Sequence, residues 1–194
     1  MDYQNLTIRQ YQLINQIVKS DKDDLDKEIA IASIITGKSE EEILTMPLEQ
    51  VKELFSYAKL NEAEANLKVN KYVWLNGKLY TGITDLDKLT TGNYVDLKNF
   101  GSKDFIGNLH NLLAILYKPL LAGKIDGKKH AQIASDMLDA KLGQVAGLVF
   151  FYSNVLESLN PTIQMSLVMA AHEIQEVMKE IDSSGFLKDG TGFM

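Results

Sequence analysis

The stretch that decides the fold is Lys71-Tyr72-Val73-Trp74-Leu75-Asn76-Gly77-Lys78-Leu79-Tyr80, a short β-rich segment in a sequence whose remainder is mostly helical in pattern. Asn76-Gly77 separates two runs of β-branched, aromatic and aliphatic residues, which is the strongest short-range signal for a β-hairpin. Both turn residues tolerate the positive φ angles of a type I′ turn. We therefore predict strands near residues 71–75 and 78–83, with Trp74 paired to Leu79 and lying near Tyr80.

The segments on either side of the hairpin predict helices. Thr7 with Gln10, and Ser39 with Glu42, have the spacing of capping boxes that begin helices. Gly37 stands where a left-handed residue commonly ends one. Further helices are expected over 25–36, 47–59, 91–99, 108–118, 128–138, 142–159 and 162–181, with Thr91 as a helix cap and a loop over 123–127.

These elements together predict an α+β fold that is predominantly α-helical, with short N-terminal helices, a central β-hairpin and a C-terminal helical bundle. The expected divisions are an N-terminal helical segment over 1–60, the hairpin with a short helix over 61–100, the bundle over 101–182 and a flexible tail over 183–194. A length of 194 residues, 45% of them hydrophobic, is enough for a substantial core.

Charge and residue usage exclude several classes of function. The formal net charge is −6 and Arg9 is the only arginine, whereas a general nucleic-acid binder needs a basic surface and favours arginine. The absence of cysteine removes disulfides, thiolate nucleophiles and Cys-ligated metal sites. The most apolar run, Val145–Tyr152, is far shorter than the ~20 residues of a membrane-spanning helix. We expect neither specific nucleic acid nor a membrane as a partner.

Few residues suggest catalysis. His172-Glu173-Ile174-Gln175-Glu176 has glutamate where a zinc-protease helix needs its second histidine. The acidic run from Asp21 lacks the glycine and the final glutamate of a calcium-binding loop, which favours an acidic linker. Asp85 and Asp87 are expected to shape a turn, and His110 to pack within an apolar helix. An enzyme site built from these three residues is a minor alternative, so we expect no catalytic residue, metal or cofactor.

Three consecutive aromatic residues, Phe150, Phe151 and Tyr152, form the candidate protein interface. They lie in the predicted helix Leu142–Leu159 and cannot all share the face that holds Val145 and Leu148. Aromatic side chains are enriched in interface cores. One alternative is a helix buried on several sides, and the other is a helix that leaves one aromatic side chain for a subunit contact.

Four blocks of the sequence resemble a group of tailed-phage proteins, including proteins of phages that infect Bacteroides-type hosts. The likeness spans about residues 6–165. The first block is Leu6–Tyr11, the second is Ile34–Ile43 with Met46-Pro47-Leu48, the third is the Asn76-Gly77 hairpin with Asp85–Asp96, and the fourth is Asn108–Leu116 with Leu159–Gln164.

The resemblance implies a non-enzymatic virion structural or assembly protein in the head–tail or tail region. Such a protein would contact other phage structural proteins and self-associate in a multi-copy assembly, in the virion or the host cytoplasm. The alternative is a tail-assembly chaperone that binds a partner transiently, and a second alternative is an enzyme of unknown class. The family brings no catalytic motif that could be transferred to this chain.

Overall fold

A computed structural model of the chain describes residues 3–47, 49–51, 68–121 and 126–159. The predicted helix over 162–181, the tail over 183–194 and the motif from His172 to Glu176 lie outside these residues. The helix predicted from Pro47 is described only at residues 49–51, where the backbone is helical.

The secondary structure confirms an α+β fold that is predominantly helical. Short 3-10 helices cover Tyr3–Asn5 and Leu86–Lys88. The strands are β1 (Tyr72–Leu75), β2 (Lys78–Gly82) and β3 (Tyr117–Pro119), and the helices are α1 (Ile8–Val18), α2 (Asp24–Thr36), α3 (Glu40–Leu44), α4 (Thr91–Gly101), α5 (Leu109–Leu116), α6 (Gly127–Met137) and α7 (Leu142–Leu159).

The predicted helix boundaries in the N-terminal part are confirmed by their caps. Thr7 Oγ1 accepts a hydrogen bond from the Gln10 backbone N–H at 3.2 Å, while Gln10 Oε1 accepts one from the Thr7 N–H at 3.0 Å. Ser39 and Glu42 make the same reciprocal pair at the start of α3. Gly37 ends α2 with φ of 71°, a conformation that costs a residue with a Cβ more than it costs glycine.

The hairpin is confirmed with the predicted register. Leu75 pairs with Lys78 and Trp74 with Leu79, and the turn residues Asn76 and Gly77 have φ of 49° and 72°. Trp74 and Tyr80 are neighbours on the two paired strands, as expected, because Trp74 pairs with Leu79, the residue before Tyr80. They lie on opposite faces of the sheet, since Tyr80 pairs with Val73 and successive strand residues alternate between faces.

Three local predictions differ from the structure. The apolar run that ends at Lys118 does not stay helical, because its last residues leave α5 and pair as β3 with β2, in the strand order β1-β2-β3. Pro119 is tolerated there because β3 is an edge strand.

Two helix starts also differ from the prediction. Thr90, not Thr91, caps α4, and the Thr90 hydroxyl accepts a hydrogen bond from the Asn93 N–H at 3.2 Å. Gly127, expected in a loop, is the first residue of α6, and Asp126 is its cap.

The main core lies between one face of the sheet and helices α4 to α7. Its fully buried members include Tyr80, Leu113, Tyr117, Met137 and Leu148. Two smaller clusters lie to the N-terminal side: one joins α1 to α2, and the other joins α2 to α3.

The chain start is fixed to the turn between α6 and α7. Thr7 and Lys141 form an antiparallel bridge, and the Leu142 N–H donates to the Leu6 carbonyl at 2.8 Å. The Ile8 N–H donates to the Ala140 carbonyl at 2.9 Å. The α1–α2–α3 part is therefore joined to the rest of the fold by backbone bonds, and Ile8 itself is a member of the main core.

Candidate protein-binding face

The two faces of the sheet differ sharply in what covers them. The inner face packs on the helices, and Val73, Leu75 and Tyr80 on it are buried. The opposite side, which we call the outer face, consists of Tyr72, Trp74, Leu79, Thr81, Lys118 and Leu120. Strand pairing places these residues on one side in two rows. Tyr72, Thr81 and Lys118 lie opposite one another across the three strands. Trp74 lies opposite Leu79, and the Leu120 N–H donates to the Leu79 carbonyl.

The outer face exposes large apolar side chains. Trp74, the only tryptophan of the chain, is 66% exposed, Tyr72 is 54% exposed and Leu120 is 52% exposed. Single exposed apolar residues are ordinary, but adjacent aromatic and aliphatic side chains on one surface are typical of interaction sites. Tryptophan and tyrosine are also the residues that most often dominate protein–protein binding energy.

The charges around the outer face are positive. Residues 68–83 contain three lysines and no acidic residue. Lys71 holds its ammonium 5.4 Å from the centroid of the Tyr72 ring, within the range of a cation–π contact. Lys118 lies on the outer face itself. The sheet therefore presents an aromatic and basic surface on a protein whose overall charge is negative.

A buried carboxylate fixes the hairpin on α6. Asp136 accepts hydrogen bonds from the Tyr80 hydroxyl, from Lys78 Nζ at 2.8 Å, from Gln132 Nε2 at 3.2 Å and from Asn76 Nδ2 at 3.3 Å. The Asp136 side chain is 6% exposed, whereas that of Lys78 is 46% exposed. Both carboxylate oxygens are thus occupied by groups from the hairpin and from the same helix, which makes Asp136 an anchor rather than a free acid.

The bonds at this anchor determine its protonation. Burial by itself raises the pKa of Asp136, but the hydrogen bonds from Lys78, Tyr80, Asn76 and Gln132 together hold the pKa below its ordinary value. Burial, and next the bond to Asp136, raise the pKa of Tyr80 well above its ordinary value. At neutral pH the pair is therefore a neutral phenol that donates to an ionised carboxylate.

Close packing also holds the inner face. A Cβ at Gly82 would lie 2.8 Å from Leu148 Cδ2 and 3.1 Å from Tyr117 Cε1, closer than side chains normally approach. The absence of a side chain at Gly82 lets β2 approach α7. The outer face is therefore presented on a sheet held by a polar anchor at its turn and by tight apolar contact at its other end.

The residues of the minor enzyme alternative have structural contacts. Asp85 Oδ1 accepts from the Asp87 N–H at 3.1 Å, and Asp85 Oδ2 lies 3.5 Å from Lys88 Nζ, so Asp85 shapes its own turn as predicted. His110 Nδ1 lies 3.0 Å from Nε2 of the buried Gln12. Within the described ranges no group of three or more His, Asp or Glu side chains is placed to hold a metal ion.

The aromatic run in α7 is only partly described. Tyr152 is buried in the main core at 1% exposure, and Phe151 is partly buried, with its ring edge-on to Tyr152 at a centroid distance of 5.3 Å. Burial, and next the charge of Asp85, raise the pKa of Tyr152 to about 12. The side chain of Phe150 lies outside the described part. The interface predicted for Phe150, Phe151 and Tyr152 stays a prediction, and it is separate from the outer face.

The outer face was missed by reasoning from sequence, although a signal for it exists. In Tyr72-Val73-Trp74-Leu75 the aromatic residues alternate with aliphatic ones, so one side of the strand must present both aromatic rings. Which side faces the core depends on the helices that cover it, and this cannot be read from the strand alone.

Comparison with known proteins gives no relative. No protein-family model matches the chain, and no curated protein or solved structure matches it significantly. Among the helices of the described ranges, none is both long and apolar enough to cross a membrane.

Proposed function

We propose that this chain is a non-enzymatic structural or assembly protein of a tailed phage, which acts through protein–protein contacts in the head–tail or tail region. The proposal rests on one observation, the exposure of Trp74 and Tyr72 side by side on the outer face. The likeness of the sequence blocks from Leu6 to Gln164 to tailed-phage proteins supplies the biological setting. Its partners would be other phage structural proteins and further copies of itself, in the virion or the host cytoplasm.

The physical argument is the cost of leaving this surface in water. Burial of an aromatic or leucine side chain contributes on the order of 2 kcal/mol, and the outer face offers three such side chains in Tyr72, Trp74 and Leu120. The hairpin that holds Tyr72 and Trp74 is anchored by Asp136, and the Leu120 N–H donates to the Leu79 carbonyl of the same hairpin, so little conformational entropy is lost when a partner binds. A preformed apolar face with a basic rim is suited to binding protein.

The first experiment is quantitative mass spectrometry of purified particles from a phage that encodes this chain. We expect the chain at a copy number consistent with a ring or shell. Its absence from particles, together with failed particle assembly when its gene is deleted, would instead favour the transient assembly chaperone. Normal particles after deletion would contradict both.

The second experiment tests the surface. Trp74→Lys should block particle formation while the purified protein keeps its far-ultraviolet circular dichroism spectrum. Leu13→Lys is the matched control, because Leu13 is also an exposed apolar residue, at 42%, but lies on α1. Equal particle yields from the two variants would contradict the role of the outer face.

A further inference from the structure

Two surfaces of this protein carry formal charges of opposite sign. Residues 21–47 contain eight carboxylates and three lysines, a net charge of −5 out of −6 for the whole chain. Residues 68–83 contain three lysines and no carboxylate side chain, and Lys118 on the outer face is a fourth lysine.

The acidic surface also exposes apolar side chains. Leu25, between Asp24 and Asp26 at the start of α2, is 53% exposed, and Leu44, at the end of α3, is 66% exposed. Lys22 and Glu40 lie 3.9 Å apart, and buried Ile29 and Ile43 share one cluster, so α2 and α3 form one unit. We call this unit, with its exposed carboxylates and these two leucines, the acidic patch.

The acidic patch and the outer face are complementary in two respects. One presents exposed leucines among carboxylates, and the other presents exposed aromatic rings among lysines. They do not cover each other within one chain, because Trp74 and Leu25 both remain more than half exposed. Opposite potentials favour encounter and exclude wrong partners, while apolar contact supplies affinity.

We infer that the outer face of one copy of this chain binds the acidic patch of a second copy. Because the two surfaces differ, the contact is heterologous, and successive copies add head to tail until a ring closes or a filament grows. This inference rests on the proposed function and deepens it, since it names a second copy of the chain as the partner of the outer face.

Charge reversal tests the pairing. Lys71→Glu with Lys118→Glu reverses the charge at two of the four lysines around the outer face, and Asp21→Lys with Glu41→Lys reverses it at two of the eight carboxylates in residues 21–47. The caps Asp23 and Ser39 are unchanged. We expect the wild type to self-associate with rising concentration in sedimentation equilibrium. Each pair of substitutions alone should weaken association about tenfold or more, because the new glutamates then face carboxylates, or the new lysines face lysines.

The variant with both reversals is the decisive sample. It should regain association to within a few fold of wild type, because opposite charges face each other again and its net charge returns to −6. Lys103→Glu with Lys128→Glu is the control, since it changes the net charge as the face reversal does but at exposed lysines of other elements. Circular dichroism verifies that each variant is folded.

Several outcomes overturn the inference. The inference is wrong if the wild type stays monomeric at high concentration, or if a single reversal has no effect on association. It is also wrong if the control weakens association equally, or if the double reversal does not restore it. If the wild type stays monomeric but Trp74→Lys still blocks particle formation, the self-contact is wrong while the proposed function stands.

Discussion

Asp136 concentrates four hydrogen bonds on one buried carboxylate, and two of its donors, Lys78 and Tyr80, belong to β2. Hydrogen bonds to a charged group contribute more than neutral ones, and loss of the charge leaves buried donors poorly paired. A single carboxylate therefore couples the turn, the second strand and α6.

Asp136→Asn should lower the free energy of unfolding by about 2–3 kcal/mol. Asp139→Asn is the matched control, because Asp139 also accepts from Asn76, at 3.2 Å, but it and its ion-pair partner Arg9 are both about half exposed. An exposed pair contributes about 1 kcal/mol or less. Urea denaturation measures both values, and equal losses from the two variants would show that the Asp136 anchor is not special.

We expect His110 to make the stability of the fold depend on pH. Burial, then the charges of Arg9 and His130, lower the pKa of His110 below its ordinary 6.5. Between that lowered pKa and 6.5 the unfolded chain binds more protons than the folded one, so this contribution to stability is present above 6.5 and is lost as the pH falls.

We expect His110→Gln to reduce the fall in unfolding free energy between neutral pH and about pH 5 relative to wild type. Asp136→Asn should keep the wild-type slope in that range, because the carboxyl it removes titrates below its ordinary 3.8. Urea denaturation across the pH series measures the slopes. A His110→Gln slope equal to that of wild type would contradict the argument.

At the scale of the element, the hairpin depends on Asn76 in two ways. Its backbone takes a positive φ of 49°, and its side chain donates to Asp136 and to Asp139. Asn76→Gly keeps the turn conformation and loses the side-chain bonds, whereas Asn76→Ala loses both. We expect Asn76→Ala to be the more destabilising by about 1 kcal/mol, measured by thermal or urea unfolding. Equal stability of the two variants would show that the turn conformation is not under strain in Asn76→Ala.

Local signals explain which elements could be predicted. The turn Asn76-Gly77 and the caps Thr7 and Ser39 depend on residues within four positions of each other, so the sequence is enough to place them. The strand Tyr117–Pro119 depends on β2, more than thirty residues earlier, and its apolar sequence fits the end of a helix equally well. Tertiary pairing therefore overrides the local pattern there.

The candidate site was beyond sequence reasoning for the same reason. Asp136 has no local feature that distinguishes it from Asp139, and only the packing of α6 against the hairpin makes one buried and the other exposed. The aromatic run at Phe150 drew attention because it is conspicuous in the sequence, yet Tyr152 fills the core. The exposed aromatic pair at Tyr72 and Trp74 depends on which sheet face the helices cover.

At the scale of the whole molecule, the basic aromatic sheet packs on the main core, whereas the acidic helical unit packs on two smaller clusters. The link between them is short, since Leu6, Ile14 and Ile31 join α1 to α2 while Ile8 enters the main core. A chain that carries a basic face and a separate acidic patch favours ordered head-to-tail contact over random aggregation. Such contact should weaken as salt screens the charges.

The only tryptophan lies on the outer face, so its fluorescence reports that face directly. In dilute solution Trp74, at 66% exposure, should emit as a solvated indole and be quenched readily by acrylamide. As the protein concentration rises, we expect the emission to shift to shorter wavelength and the quenching to fall, with the same midpoint as the mass increase in sedimentation. Association removes water from the indole in this mechanism, so the two transitions must coincide.

The variants provide the controls. Leu13→Lys should leave the fluorescence shift and the mass increase unchanged, and the variant with both charge reversals should show the same two transitions as wild type. If the mass rises while Trp74 stays fully quenchable, the copies associate through another surface, and the head-to-tail contact is wrong.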